Sequence, residues 1–196
     1  MGHSEAFHSP CREIEQEILN TAPTRAIEKI MDLYGDEIKR LIYTYVKNTA
    51  DTDDVTQEVF VTVYKKLDTF KGQSSLRSWI YSIAINKAKD HLRSWQSRNK
   101  RLKDRLIQSA RVKKDTSDSP EDHTLKQSEF SSLLNQVMGL PIKYREVIVL
   151  HYFKELSTKE IADALSMKEV SVRTRLKRGR DKLKQLLSAE RGVTNG

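Results

Sequence analysis

Four carboxylates, Asp51, Asp53, Asp54 and Glu58, fall within eight residues, and no Lys or Arg interrupts the stretch between Lys47 and Lys65. Acids in the first turn of a helix are ordinary capping and dipole partners, and no histidine or second carboxylate group stands beside them for acid–base or metal chemistry. They suit a basic partner. Then the sign reverses: Lys71, Arg77, Lys87, Lys89, Arg93, Arg98, Lys100, Arg101, Lys103 and Arg105 stand against Asp90 and Asp104, a local net of +8. A third run, residues 168–184, carries eight basic residues against Glu169 and Asp181, a net of +6. Both runs suit phosphate.

The rest of the composition narrows the class. A net charge of +8 over 196 residues favours a polyanion, either nucleic acid or an acidic membrane surface. The single cysteine, Cys11, excludes an internal disulfide framework and fits a reducing compartment. No run of about 18 apolar residues exists, and MGHSEAFHSPC lacks the plan of a signal peptide, so a soluble cytoplasmic protein is expected. There is no Gly-rich phosphate loop and no nucleophile motif. His3, His8 and Cys11 are discounted as metal ligands, and His91 and His151 read as structural, so neither metal nor cofactor is expected. Nor is a small-molecule substrate.

The elements that hold these charges read as helices throughout. Residues 12–20 predict a short helix stopped near Pro23, and Thr24 an N-cap for a helix over 25–34, which Gly35 ends. Residues 36–47 restart with Ile38, Leu41, Ile42 and Tyr45 at helical spacing. Thr52 or Asp53 can cap the acidic helix, whose Val55, Val59, Val63 and Leu67 repeat every four residues, widened by Phe60 and Tyr64. The β-branched run VFVTVY could suggest a strand, but that period argues helix. Residues 68–75 read as a loop, and Ser74 or Ser75 can cap the next helix. There Ile80, Ile83, Ala84, Ala88, Leu92 and Trp95 line one side, while Arg77, Tyr81, Asn86, Lys89 and Arg93 lie mostly on the other. Trp79 is assigned mainly to core; Tyr81 is open to either core or base stacking.

Residues 114–123 contain no large apolar residue and read as a flexible linker. Beyond it, Phe130, Leu133, Leu134, Val137 and Met138 predict a helix ended by Gly139, and Pro141 opens the next, with Ile142, Val147, Leu150 and Phe153 as core. Ser157 and Glu160 form a capping box for a helix reaching about Leu165. After a three-residue turn a basic helix runs from Glu169 to about Leu187, completing a helix-turn-helix. At about 100° per residue, Val172, Leu176, Gly179 and Leu183 share the packed sector. Opposite lie Val170, Thr174, Lys177, Arg178 and Asp181, with Arg173 on the flank. Thr, Lys and Arg on such a face can read guanine or a thymine methyl in the major groove.

The stretch 53–93, DDVTQEVFVTVYKKLDTFKGQSSLRSWIYSIAINKAKDHLR, resembles the second domain of bacterial sigma factors of the extracytoplasmic-function group. That domain's pattern is an acidic D-x-x-Q-E-x-F helix, a loop, then W-L-Y-x-I-A-x-N. STKEIADALSMKEVSVRTRLKRGRDKL resembles the fourth domain. The resemblance spans residues 25–187 and implies an all-α chain of two small helical domains, a helical bundle and a helix-turn-helix, joined by a flexible linker. The expected division is a polar segment with a short helix (1–24), sigma domain 2 (25–105), linker (106–127), sigma domain 4 (128–190) and tail (191–196).

By that resemblance, Asp54, Gln57 and Glu58 dock core RNA polymerase. Lys71, Arg77, Tyr81, Asn86, Lys89 and Arg93 meet the minus-10 element, where the 68–77 loop captures an unstacked base. Arg173, Thr174, Lys177 and Arg178 read the minus-35 element of promoter DNA. Ser82 and Ile85 stand where the family often has Arg, and Val170 where it often has Gly. The implied protein is not an enzyme; it directs polymerase to a promoter, under the control of an anti-sigma factor that is often membrane-anchored. Two other readings remain open on the residues alone: a dimeric regulator using only the helix-turn-helix, and an RNA-binding adaptor using residues 87–105.

Overall fold

The computed structural model describes residues 10–109 and 129–193; the expected linker over 114–123, His3 and His8 lie outside them. Every described element is helical. Helices α1 (Pro10–Leu19), α2 (Pro23–Val46), α3 (Thr49–Lys66) and α4 (Leu76–Ser109) form one bundle, with a 3-10 turn at Leu67–Thr69. Helices α5 (Glu129–Gly139), α6 (Ile142–Ile148), α7 (Thr158–Ala164) and α8 (Glu169–Val193) form a second, and α7 also packs on α4.

Helix α2 does not stop at Gly35 as expected. Its buried face, Ala26, Ile30, Tyr34, Ile38, Leu41, Ile42 and Tyr45, continues at three- and four-residue steps through the glycine. An interior Gly costs about 1 kcal/mol against Ala, whereas each fully buried large aliphatic side chain contributes about 1.5–3 kcal/mol, so the stripe prevails. Pro23 rather than Thr24 opens the helix. Lys47, left-handed at φ 58°, closes it by donating its N–H to the Tyr43 carbonyl.

Helix α3 begins earlier than expected because Asn48 is its cap, accepting from the Asp51 N–H at 3.0 Å. Val55, Val59, Val63 and Leu67 are all buried, but Tyr64, expected beside them, is 47% exposed. At the start of α4 the Ser75 hydroxyl accepts from the Ser78 N–H at 3.1 Å. A second cap comes from α1: the buried Glu15 carboxylate accepts from the N–H groups of Leu76 (3.2 Å) and Arg77 (3.4 Å). Ile80, Ile83, Ala84 and Ala88 are buried as expected. Trp95 is not, at 50% exposed, because α4 has by then run past the bundle and residues 93–99 all face solvent.

In the second bundle the capping box forms as the spacing predicts. The Ser157 hydroxyl accepts from the Glu160 N–H at 3.2 Å, and the Ser157 N–H donates to the Glu160 carboxylate at 2.9 Å. After α6 the helix widens into a π turn, Val149–Phe153, in which the Lys154 N–H reaches the Val149 carbonyl. The wider turn changes the register. Phe153, expected in the core, is instead 39% exposed, and Leu156, beyond left-handed Glu155 (φ 57°), is buried. Ile142, also expected in the core, is an exposed residue of the first turn of α6. The α7–α8 turn uses a third left-handed residue, Ser166 (φ 51°). On α8, Val172, Leu176 and Gly179 are buried and Leu183 is partly so. A Cβ on Gly179 would stand 3.1 Å from Ile148 Cγ1, so α8 and α6 meet closely there.

Candidate nucleic-acid interface

Three surfaces carry the residues singled out by the sequence. On α8, with α7 packed behind it, Arg173, Thr174, Lys177 and Arg178 are all exposed. Their pairings are local: Arg173 Nη2 lies 2.7 Å from Glu169 Oε1, and the Thr174 hydroxyl donates to the Val170 carbonyl at 2.8 Å. Hydrogen bonds from Thr158 and then Arg173 hold the Glu169 carboxyl below its ordinary value. Val170, 70% exposed at the start of the helix, shares this side. The face can therefore present donors and a methyl group to base edges.

The residues of the expected minus-10 track are not brought together as one free surface. Lys71, Asn86 and Arg93 are exposed, the last pairing with Asp90 at 3.2 Å. Arg77 is engaged by Glu37 of α2, Nη2 to Oε1 at 2.5 Å and Nε to Oε2 at 3.3 Å. Burial opposes charge on both groups, yet the contact outweighs it, holding the Glu37 carboxyl below and the Arg77 guanidinium above their ordinary values. Lys89 Nζ stands 2.8 Å from Glu146 Oε2. Tyr81 has no exposed surface, so in this arrangement it is a core residue and offers no ring face to a base. Its ring lies under Arg77, 5.3 Å from Cζ, and burial followed by Glu37 pushes its phenol well above the ordinary value. Trp79 packs against Phe70, with ring centroids 5.2 Å apart.

The acidic helix borders a groove of about 810 Å³ between α2 and α3. Asp53, Asp54 and Gln57 line it, and its apolar part comes from residues that sequence reasoning did not single out as functional: Met31, Val61 and Tyr64, each about half exposed. The signal was there in Val61, which interrupts the polar side of α3; Tyr64 was expected beside the core stripe instead. Glu58 is exposed but outside the groove, 3.3 Å from Lys87 of α4. Asp53 pairs with Lys39 at 2.6 Å across it. Glu15, Glu37 and Glu146 were also missed, since their partners lie on other helices. Among residues whose side chains are described, no group of His, Cys and acids could hold a metal.

Comparison with known proteins gives these surfaces a class. Residues 30–98 match the family described as Sigma-70 region 2, and residues 130–183 match Sigma-70, region 4. Regions 2 and 4 in this order define a transcription initiation factor of the sigma type rather than an enzyme. The ECF RNA polymerase sigma factor SigW of Bacillus subtilis is 31% identical over 167 residues, 83% of this chain and 89% of that one. This chain belongs to the extracytoplasmic-function (ECF) sigma factor family. CnrH, solved in complex with the cytosolic domain of CnrY, matches with a TM-score of 0.63 and 25% identity over 91% of this chain and 97% of CnrH. The sigma factor RpoE of Bartonella quintana, in complex with the anti-sigma factor NepR, matches in fold with a TM-score of 0.61 at 19% identity, covering 82% of this chain and 96% of that one. Among the described residues no helix is long and apolar enough to cross a membrane.

Proposed function

We propose that this sigma factor docks core RNA polymerase through the α2–α3 groove and carries it to a two-element promoter. Asp54 and Gln57 line the groove and Glu58 flanks it, an acidic rim around an apolar floor that suits a basic amphipathic helix. Arg173, Thr174, Lys177 and Arg178 read the minus-35 duplex. Lys71, Arg77, Asn86, Lys89 and Arg93 hold the melted minus-10 strand, and the 68–77 segment takes an unstacked base. Domain 2 over 25–105 and domain 4 over 128–190 carry these two tasks, a division supported by the family matches. The protein works in the cytoplasm. A protein partner of the kind seen on CnrH restrains it, held at the membrane where that anti-sigma factor is anchored there.

The observation that carries this reading is the presence, on one small chain, of an acid-rimmed apolar groove and a separate exposed cationic face on a capped helix-turn-helix. A polymerase titration followed by size-exclusion chromatography tests it. The wild-type chain is expected to form a one-to-one complex, and Asp54→Lys to bind at least about tenfold more weakly, since like charge at a contact costs up to several kcal/mol. Undiminished binding by the variant removes α3 from the interface. No complex at all, alongside tight duplex binding by the free chain, leaves a stand-alone regulator. Competition between polymerase and the candidate restraining partner for the chain checks the regulatory part.

A further inference from the structure

Helix α1 has no part in the function proposed above, yet two of its side chains border the segment that receives a base. Its inner side is set by Ile18, 2% exposed, and by the buried Glu15 one turn earlier. The Glu15 carboxylate takes the first two N–H groups of α4, from Leu76 and Arg77, and accepts from the Tyr34 hydroxyl at 3.5 Å. Helix α1 is therefore pinned to the end of the 68–77 segment. Those N–H groups are where a helix otherwise draws a phosphate. With a carboxylate already on them, this end of the segment suits a neutral group. On the neighbouring side of α1, Gln16 and Leu19, again one turn apart and both exposed, line a cleft of about 670 Å³ together with Phe70, Gly72, Gln73 and Ser74. That volume falls in the range of about 300–1,000 Å³ usual for small-ligand pockets. Helix α7 supplies a further wall. The relation of α1 to the segment does not depend on it, because the Glu15 hydrogen bonds lie within the first bundle.

We infer that α1 forms a second wall of the base pocket and that Gln16 helps select which base enters it. The inference deepens the reading of the 68–77 segment as the receiver of an unstacked base, and it rests on that reading. Taking a base out of the stack costs energy that ring burial and edge hydrogen bonds must together offset, and a single loop wall leaves one side of the ring in water. Helix α1 supplies the missing side. Leu19 and Phe70, from different elements, give apolar surface for the faces of a ring. Gln16 and Gln73 give amides, each with a donor and an acceptor side by side, and a base edge answers an amide only when its own groups come in the matching order. A phosphate or a carboxylate entering the same cleft meets the charge of Glu15, which also lines it. The lining therefore fits a flat, uncharged ring with a polar rim.

The test uses core RNA polymerase loaded with the full-length chain, and a promoter duplex whose non-template strand is randomised across an unpaired minus-10 segment. Bound DNA is recovered and sequenced. The wild-type complex is expected to select a base at one position, and Gln16→Ala to flatten that preference by about tenfold, the discrimination that one amide–base contact supplies, with other positions unchanged. Glu17→Ala is the control on the same helix, since Glu17 is exposed and pairs with Lys29 at 2.7 Å. Alanine raises helix propensity at both sites, so both variants should fold, which circular dichroism checks. Gln73→Ala probes the segment itself. Flattening by Gln16→Ala and not by Glu17→Ala sustains the inference, whatever Gln73→Ala does. An unchanged preference in Gln16→Ala beside a flattened one in Gln73→Ala overturns the second wall and leaves the base-receiving segment standing. If neither variant changes any position, both readings fall. Equal flattening by Glu17→Ala overturns the assignment to Gln16, because the effect then belongs to α1 as a whole.

Discussion

Two cationic helices of similar composition stand in opposite states in this chain. On α8, Lys177 and Arg178 make no ion pair with any described residue, and the pair that Arg173 makes is with its own i−4 neighbour. Exposed pairs of that kind are worth a few tenths of a kcal/mol and are readily exchanged for phosphate. On α4, Arg77 and Lys89 are held by carboxylates 40 and 57 residues away in sequence, one of them almost wholly buried. Charge content alone therefore does not tell which face is available. Availability follows from whether the counter-charge sits on the same helix or on a different, packed one.

The comparison can be broken most forcefully from the α8 side. Gly179→Leu places a branched side chain where even a Cβ meets Ile148 at 3.1 Å, so α8 should lift from α6. Overpacking of this kind costs about 1–3 kcal/mol, read as a lower unfolding temperature of the second bundle and loss of duplex binding, with polymerase docking retained. Arg178→Ala leaves the fold intact and is expected to cost about 1–3 kcal/mol of discrimination among upstream elements, measured by competition between duplexes. An equal loss on every sequence makes Arg178 a phosphate contact instead.

From the α4 side, Glu37→Gln should cost about 1 kcal/mol of stability at neutral pH while raising affinity for a single strand, because Arg77 is released. Burial raises the Glu37 carboxyl, but the Arg77 hydrogen bond more than offsets it, leaving the folded value below the ordinary 4.5. The pair's contribution is thus complete above that ordinary value and is lost as pH falls through the lowered one. Denaturant unfolding of both chains should show the stability gap at pH 7 and its closure in acid; a gap independent of pH means the carboxylate charge is not its source. Arg93→Ala should do least. Its side chain is 72% exposed and, among the described residues, pairs only with Asp90, so stability should change by no more than about 0.5 kcal/mol, with the salt slope of strand binding falling by about one.

What could be read in the sequence was whatever repeats along one helix. The four-residue period from Val55 to Leu67 separated helix from strand despite its β-branched residues, and the Val172, Leu176, Gly179 sector fixed which side of α8 faces out. The Ser157–Glu160 box depends only on local spacing and was equally plain. Periodicity failed where other elements decide what lies against a helix. Tyr81 lies on the expected polar side of α4 and yet is buried beneath Arg77 and against Glu37, and Trp95 continues an apolar stripe past the end of what it could pack on. The π turn hid in the same way, since a change of register after α6 leaves no mark in composition. The Glu146 cluster was least legible: Tyr45 and Glu146 are 101 residues apart, and no pattern within either helix announces the other.

Among the described residues, the three non-glycine residues that sit at positive φ, Lys47, Glu155 and Ser166, each end a helix or turn the chain between two. A side chain there costs about 1–2 kcal/mol, part of which glycine would return against its own greater freedom when unfolded. None of the three belongs to the docking groove or to the four-residue face that reads duplex. The chain thus keeps an unclaimed margin of heat tolerance in its corners, open to a lineage in a warmer habitat without any rewriting of which promoters it serves.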